Sequence, residues 1–260
     1  MVTRGVNSLY DDTGGWKESK TMEHPSGIWG RGPALACLEK LIVPGNTVVD
    51  LGCGAGYPSL QMTYMVGPSG QVIGVECHDG MLAEAAKYDK VPNLKFRKGD
   101  VTKTVPVADQ EAHVVASFMV CHNLELCGVE TMLCETHRIL KPGGKAVFLT
   151  MHPSALDSDW DLDFMVYSPR ALRAYRGATD KEGVHVPGTV KNAGGGSKEV
   201  LMINHTRENM LRAIKDACLV LGPETSLRID GKTAKAKFGD KAVRRLPTTP
   251  IFWIIVLDKP

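Results

Sequence analysis

The segment Val48–Gly56 reads V-V-D-L-G-C-G-A-G, an apolar run that stops at Asp50 and opens into glycines at positions 52, 54 and 56. Without a Cβ in the way, a ligand can approach such a backbone closely. Pro58 fits the first turn of a following helix, whose N-terminus favours negative groups. Dinucleotide binders space this loop as G-x-G-x-x-G. Counted from Gly52 the third glycine would be Tyr57, and from Gly54 it would be Ser59, so neither register matches. Glu76 ends the next apolar run, about 20 residues after the loop, where a doubly wound fold places an acid on ribose hydroxyls. A carboxylate suits that task because it can accept from both hydroxyls at once. Asp100 follows Gly99 after a third run, either as a ligand-binding acid or as a turn residue. His122, Glu125 and His152 are the residues that could take a proton, an imidazole having an unperturbed pKa near 6.5.

These groups need a frame that brings them together. Thr47–Asp50, Gln71–Glu76, Leu94–Arg97, the nearly all-apolar His113–Met119 and Ala146–Thr150 read as buried strands, and Ile251–Leu257 as a final one. Helices are expected over Ala34–Ile42, Ser59–Met65, from Asp79 as N-cap, over Glu130–Leu140 and over Thr206–Leu219 with Thr206 as N-cap. Strands alternating with helices give an α/β, doubly wound and mostly parallel sheet. Ligands of such sheets sit at the carboxyl ends of the strands, where the glycine loop, Glu76, Asp100 and Phe118 all fall.

The pattern D-x-G-x-G-x-G at Asp50–Gly56 resembles motif I of the class I (Rossmann-like) S-adenosylmethionine-dependent methyltransferases. L-K-P-G-G-K at Leu140–Lys145, just before a strand, is similar to a second hallmark of that family. The likeness extends firmly over residues 34–150 and loosely over 200–260. It implies a loop of Asp50, Gly52, Cys53, Gly54 and Gly56 wrapped around the methionine part of S-adenosylmethionine. It implies Glu76 on the ribose with Cys77 beside it, and Met81 packed on the adenine. In the family segment matching Gly99-Asp100-Val101, the acid meets the adenine amino group and the next backbone N–H meets the ring. Phe118 lies beside the base. The product would be S-adenosylhomocysteine. The family usually has Asp where His113 stands, far from the cofactor end.

Composition sets outer limits. Of 260 residues, 43% are apolar and 23% charged, which is ordinary for a soluble globular protein. A net charge of +2 gives no global nucleic-acid footprint. The first residues show no apolar signal core, and no run approaches membrane-spanning length, so a cytoplasmic protein without a membrane partner is expected. Seven scattered cysteines without a C-x-x-C pair argue against a disulfide framework or a zinc site, and no metal is expected. The residues after the fourth strand, S-F-M-V-C-H-N, lack the N-P-P-Y-like motif of adenine amino-methylating enzymes. Cys121 lacks the Pro-Cys or Thr-Cys setting of cytosine-carbon methylation.

The expected protein therefore transfers a methyl group to an oxygen or nitrogen of a small molecule and acts as a monomer or homodimer. His122, after the fourth strand, is the first candidate base, with Glu125 to orient it or act itself; His152 is the second candidate. A protein or RNA methyltransferase using the basic segment 232–245, or a non-catalytic cofactor-binding partner subunit, are the alternatives. That basic segment otherwise reads as a solvated loop. Residues 1–33, with Tyr10, Trp16 and Trp29, read as an arm that either docks on the core or closes over the cofactor. Residues 151–200, carrying His152, Trp160, Tyr167, Tyr175, His185 and Gly194–Gly196, show no α/β alternation and read as a cap inserted over the acceptor site.

Overall fold

A computed structural model describes residues 26–157, 161–162, 165–167, 184–191, 197–240 and 243–260. Residues 1–25 of the arm, and Trp160, Tyr175 and Gly194–Gly196 of the cap, lie outside the described residues. For Tyr167 and His185 only the backbone is described.

Apolar β-branched runs build the central sheet. β1 (Thr47–Leu51), β2 (Gln71–Glu76), β3 (Leu94–Lys98), β4 (Ala112–Phe118) and β5 (Leu140–Met151) pair in parallel. With β10 (Val220–Leu227) and β12 (Phe252–Asp258) the order is β10-β12-β5-β4-β1-β2-β3, and β12 runs antiparallel to both its neighbours. Alternate residues feed two apolar layers. Val48, Val72, Ala116 and Leu149 face one; Val49, Ile73, Val115 and Phe148 face the other. All eight are buried, and the seven larger than alanine each contribute on the order of 2 kcal/mol by leaving water.

The helices cover these layers: α1 (Gly32–Glu39), α2 (Tyr57–Val66), α3 (Asp79–Ala85), α4 (Leu126–Ile139), α5 (Arg207–Asp216) and α6 (Gly231–Phe238). The strand order reverses between β1 and β4. A doubly wound sheet opens a crevice for ligands at the carboxyl ends of those two strands.

Several local expectations are corrected. Residue 79 is not the cap of α3. His78 occupies that position, and Asp79 instead pairs with Lys98 at 2.6 Å. α4 starts at Leu126, four residues before Glu130, and β5 begins at Leu140, so the P-G-G segment lies inside the strand. The basic stretch from 232 is no loop: Asp230 caps α6 by accepting from the Thr233 N–H at 2.7 Å. Thr206 does cap α5, accepting from the Asn209 N–H at 3.1 Å.

The stretch after β5 contains a second, antiparallel sheet. Its strands β6 (Asp161–Leu162), β7 (Met165–Tyr167), β8 (Val184–Lys191) and β9 (Ser197–Asn204) are joined by β11 (Val243–Arg245), in the order β11-β6-β7-β8-β9. This sheet runs past residue 200 and recruits a strand from near the C-terminal end. Ahead of α1, a π-helical turn at Gly27–Arg31 docks the described part of the arm. Trp29 is buried with its ring 6.0 Å from that of Phe238.

Candidate active site

The glycine loop is held open from below. At Gly52 φ is +72°, and a Cβ there would stand 2.5 Å from the Val120 side chain on the loop after β4. Gly52→Ala is therefore expected to cost about 1–2 kcal/mol, read as a lower midpoint in urea. At Gly54 φ is +55° and a Cβ would meet nothing within 4 Å, so this residue borders open space. Cys53 turns the other way: its sulfur lies 2.8 Å from where a Cβ on Gly74 would be, seated on β2. Only the backbone of Cys53 is left to a ligand.

Glu76 ties the loop to β2 and α3. Its Oε2 accepts from the Gly54 N–H at 3.0 Å; its Oε1 accepts from the N–H groups of Cys77 at 2.9 Å and His78 at 3.0 Å. The same Oε1 lies 3.0 Å from His78 Nδ1 and 3.5 Å from the Cys77 sulfur. Oε2 thus keeps one lone pair for a further donor, whereas Oε1 is saturated by its own neighbours. Burial and the Glu76 charge push the exposed Cys77 thiol up to about 12.

Asp50 is 1% exposed and lies beneath the loop, not in it. Its Oδ2 accepts from the Ser59 hydroxyl at 2.6 Å. Burial raises its pKa to about 6, with Ser59 opposing and Glu76 adding to the rise. Past β3, Asp100 Oδ1 accepts from the Thr102 N–H at 2.9 Å and hydroxyl at 2.7 Å, and Oδ2 pairs with Lys103 at 3.1 Å. Burial would raise the Asp100 pKa, but the Thr102 and Lys103 contacts outweigh it and hold the pKa below the usual range. Asp100 therefore shapes a turn, one of the two readings its sequence allows. Met81 and Val101 are buried nearby, in α3 and in the turn after β3. Phe118 packs into the apolar layer with Trp29, Leu35 and Phe252.

After β4 the chain bends sharply. Met119 adopts φ +64°, a conformation that strains a side chain of its size, and the Asn123 amide donates to the Met119 carbonyl at 2.9 Å. A short 3₁₀ turn, Cys121–Asn123, follows. His122 on this turn is 6% exposed, and among the described residues its Nδ1 has no hydrogen-bond partner. Burial, with the Arg31 charge and His205 adding, pushes its pKa down to about 3. Glu125 sits at the N-cap of α4 and does not engage Nδ1 of His122. His205, just past β9, ties the second sheet to this turn: its Nε2 lies 3.1 Å from the Cys121 carbonyl and 3.0 Å from that of Leu124.

His152 goes elsewhere. Its Nδ1 accepts from the Ser154 N–H at 3.1 Å, capping the turn Pro153–Leu156, and its Nε2 lies 3.0 Å from the Ser226 hydroxyl on β10. β10 is at the edge of the sheet beyond β5 and β12, away from the glycine loop, so His152 is drawn to that edge whereas His122 sits on the turn after β4. Burial lowers the pKa of His152. Sequence reading missed Arg31. It ends the π-helical turn, donates to the Ser26 hydroxyl at 2.7 Å, and lies near enough to lower the pKa values of both Asp50 and His122. The only local signal was one cation between glycines in G-I-W-G-R-G.

Residues 48–144 match a protein family described as a methyltransferase domain. An arsenite methyltransferase of Halobacterium salinarum is 38% identical over 108 residues, which is 40% of this chain and 27% of that protein. A 2-phytyl-1,4-naphtoquinone methyltransferase of a Nostoc species is 32% identical over 114 residues, 42% of this chain and 48% of that one. This chain thus spans less than half the length of either relative. An S-adenosylmethionine-dependent methyltransferase from Mesorhizobium loti shares the fold with a TM-score of 0.58 and 18% identity, over 87% of this chain and 96% of that one. With its seven-stranded sheet, its glycine loop and the acid at the end of β2, the chain has the fold of the class I S-adenosylmethionine-dependent methyltransferases, and its span Val48–Gly144 matches a methyltransferase domain.

Proposed function

We propose that the protein transfers the methyl group of S-adenosylmethionine to a small-molecule acceptor. The observation that carries this reading is the carboxylate of Glu76 bonded to the Gly54 N–H, with open space on the other side of Gly54. The free lone pair of Oε2 accepts a ribose hydroxyl. The backbone of Gly52–Gly56 follows the methionine part, Asp50 balances its positive charge from below, and Arg31 meets its carboxylate. Met81 and Val101 border the adenine, whose amino group donates to Asp100. Calorimetric titration with S-adenosylhomocysteine tests this directly: one site with micromolar affinity supports it, and no heat of binding with folded protein defeats it.

For the transfer itself, the chain's contribution is to hold acceptor and methyl in line within a dry cleft. His122 is neutral at any working pH, so it acts as a hydrogen-bond acceptor that orients an acceptor O–H or N–H, not as a strong base. An acceptor that needs little deprotonation, such as an amine nitrogen or an acidic hydroxyl, fits this site. His122→Ala is expected to lower kcat/KM about tenfold, the worth of one hydrogen bond. The wild-type kcat profile is expected to show no ionisation of His122 between pH 5 and 8. A wild-type profile with a pKa near 6.5 that disappears in the variant would restore the base role. His152 is expected to act on stability through its cap. Residues 151–200 are assigned to the acceptor cap and residues 1–33 to a lid on the cofactor side; much of both lies outside the described residues.

A second reading concerns the atom methylated. One relative is named an arsenite methyltransferase, and a buried neutral imidazole suits a soft, already nucleophilic acceptor equally well. Mass spectrometry and NMR of products made with isotopically labelled methyl donor distinguish the two.

A further inference from the structure

His205 is buried at the point where the chain leaves the second sheet. β9 ends at Asn204 and Thr206 caps α5, so His205 is the single residue between them. Its Nε2 lies 3.1 Å from the Cys121 carbonyl and 3.0 Å from that of Leu124. Both partners can only accept, so Nε2 carries the proton and shares it between the two oxygens. Cys121 opens the 3₁₀ turn, and Leu124 directly follows its last residue, Asn123. One N–H therefore pins both ends of the turn that carries His122. The same Cys121 carbonyl accepts from the Leu124 N–H at 3.1 Å, which closes the turn on itself. Asn204, one residue earlier, donates from its side-chain amide to the Pro153 carbonyl at 2.9 Å. The end of β9 is thus fastened to the chain after β4 and to the chain after β5. At the other end of this bend, the Val120 side chain closes on Gly52 of the glycine loop. The turn is held between the second sheet and that loop.

We propose that His205 is the positioning residue for His122: its Nε2–H locks the turn that presents the His122 imidazole, so the second sheet sets where that imidazole points. Glu125 was expected in this role from its spacing, yet it does not engage Nδ1 of His122. His205 comes from 83 positions further along the chain and acts on the backbone of the turn, not on the imidazole. The consequence for methyl transfer, an acceptor aligned only while the second sheet is seated, rests on the function proposed above. The clamp itself does not.

The test uses the full chain without ligand and needs no known acceptor. Heteronuclear NMR of protein labelled at its histidine nitrogens reads the protonation of each ring, and His122→Ala assigns the signal of His122. The groups whose charge reaches His122 are Arg31, from the turn ahead of α1, and His205 itself. Two variants separate the clamp from mere packing. The amide N–H of His205→Gln stands where Nε2–H stands, whereas the shorter amide of His205→Asn coincides with Nδ1 and falls short of both carbonyls. In the wild type and in His205→Gln, the His122 ring is expected to stay neutral from about pH 8 down to pH 5. In His205→Asn the turn opens to water, and the ring is expected to titrate toward its ordinary pKa of about 6.5. Thermal melts establish that the variants are folded. A folded His205→Asn whose His122 is unchanged overturns the proposal, and so does a folded His205→Gln that behaves like His205→Asn. If His205→Asn does not fold, the wild type decides: the nitrogen shifts must show the His205 proton on Nε2, and the opposite tautomer overturns the clamp. If S-adenosylhomocysteine fails to bind in a separate titration, the methyl-transfer reading falls and the histidine titration still decides the role of His205.

Discussion

Glu76→Gln is expected to weaken S-adenosylhomocysteine binding by about 100-fold or more. A hydrogen bond to a charged group contributes about 1.5–3 kcal/mol, and the substitution removes the charge that strengthens the ribose contact. It also disturbs the protein before any ligand arrives. The carboxylate accepts from three backbone N–H groups, those of Gly54, Cys77 and His78. An amide has one acceptor oxygen and presents N–H groups at the other position. Whichever way it turns, one of these backbone donors faces another donor. The glycine loop or the start of α3 is then released, and the melting temperature should fall with the affinity. Isothermal titration and a thermal melt on the same sample measure both effects. A dissociation constant within threefold of wild type would show that Glu76 braces the loop but does not meet the ribose.

The second large effect is expected at Asp50, and its sign depends on pH. Its carboxyl titrates near pH 6 in the folded protein, against about 3.8 when unperturbed. Between those values the folded state holds a proton that the unfolded state has released, so this group's contribution to stability falls as pH rises through the window. Above pH 6 the buried charge costs on the order of 3 kcal/mol relative to pH 4. Asp50→Asn removes that dependence while retaining an oxygen for the Ser59 hydroxyl. Relative to wild type, the variant should gain about 5–10 °C in melting temperature between pH 4 and pH 7. The comparison matters because His122 works in the opposite direction. Its pKa is depressed to about 3, so its stabilising contribution is lost as pH falls below about 6.5. Only the difference between variant and wild type isolates Asp50. The same variant should bind the positively charged S-adenosylmethionine about tenfold more weakly, because the charge beneath the loop is gone. A pH-independent difference in melting temperature would mean that Asp50 is not the strained group.

The two predictions share a cause. On the proposed reading, a methyl donor with a sulfonium and an ammonium group is met by the buried carboxylates of Asp50 and Glu76. Without ligand the buried charge of Asp50 weighs on stability, and the sharp bend at Met119 adds to the strain on the same end of the sheet.

Much of the frame was legible in the chain. The parallel strands from Thr47, Gln71, Leu94 and His113, and the last strand from Ile251, emerge from short apolar runs bounded by turn residues, and each begins within about one residue of its place. Elements without such runs were not legible. β10 is an edge strand whose residues are mostly exposed or half-exposed, with Gly222-Pro223 at its irregularity, so no face alternates. α6 buries only Ala234, and its lysines hide the helix in a run that looks like a loop. The second sheet pairs β6 with β11, about 80 residues later in the chain, a relation that no local pattern carries.

The site divides along the same line. Glycine spacing, the acid at the end of β2 and the alternation of strands with helices are local or periodic features, and the sequence by itself determined them. It thereby determined the fold and the class of methyl donor. Only the tertiary structure decided what each polar group does there. Burial and the charges of Arg31 and His205, distant in sequence, turn His122 from an ordinary imidazole into a neutral one. Ser154 and Ser226 bind both nitrogens of His152 and place it on another strand. Arg31 gains its place only because a turn ahead of α1 packs over the crevice. A side chain's protonation and partners are sums over everything folded around it, and that sum is absent from any single stretch of the chain.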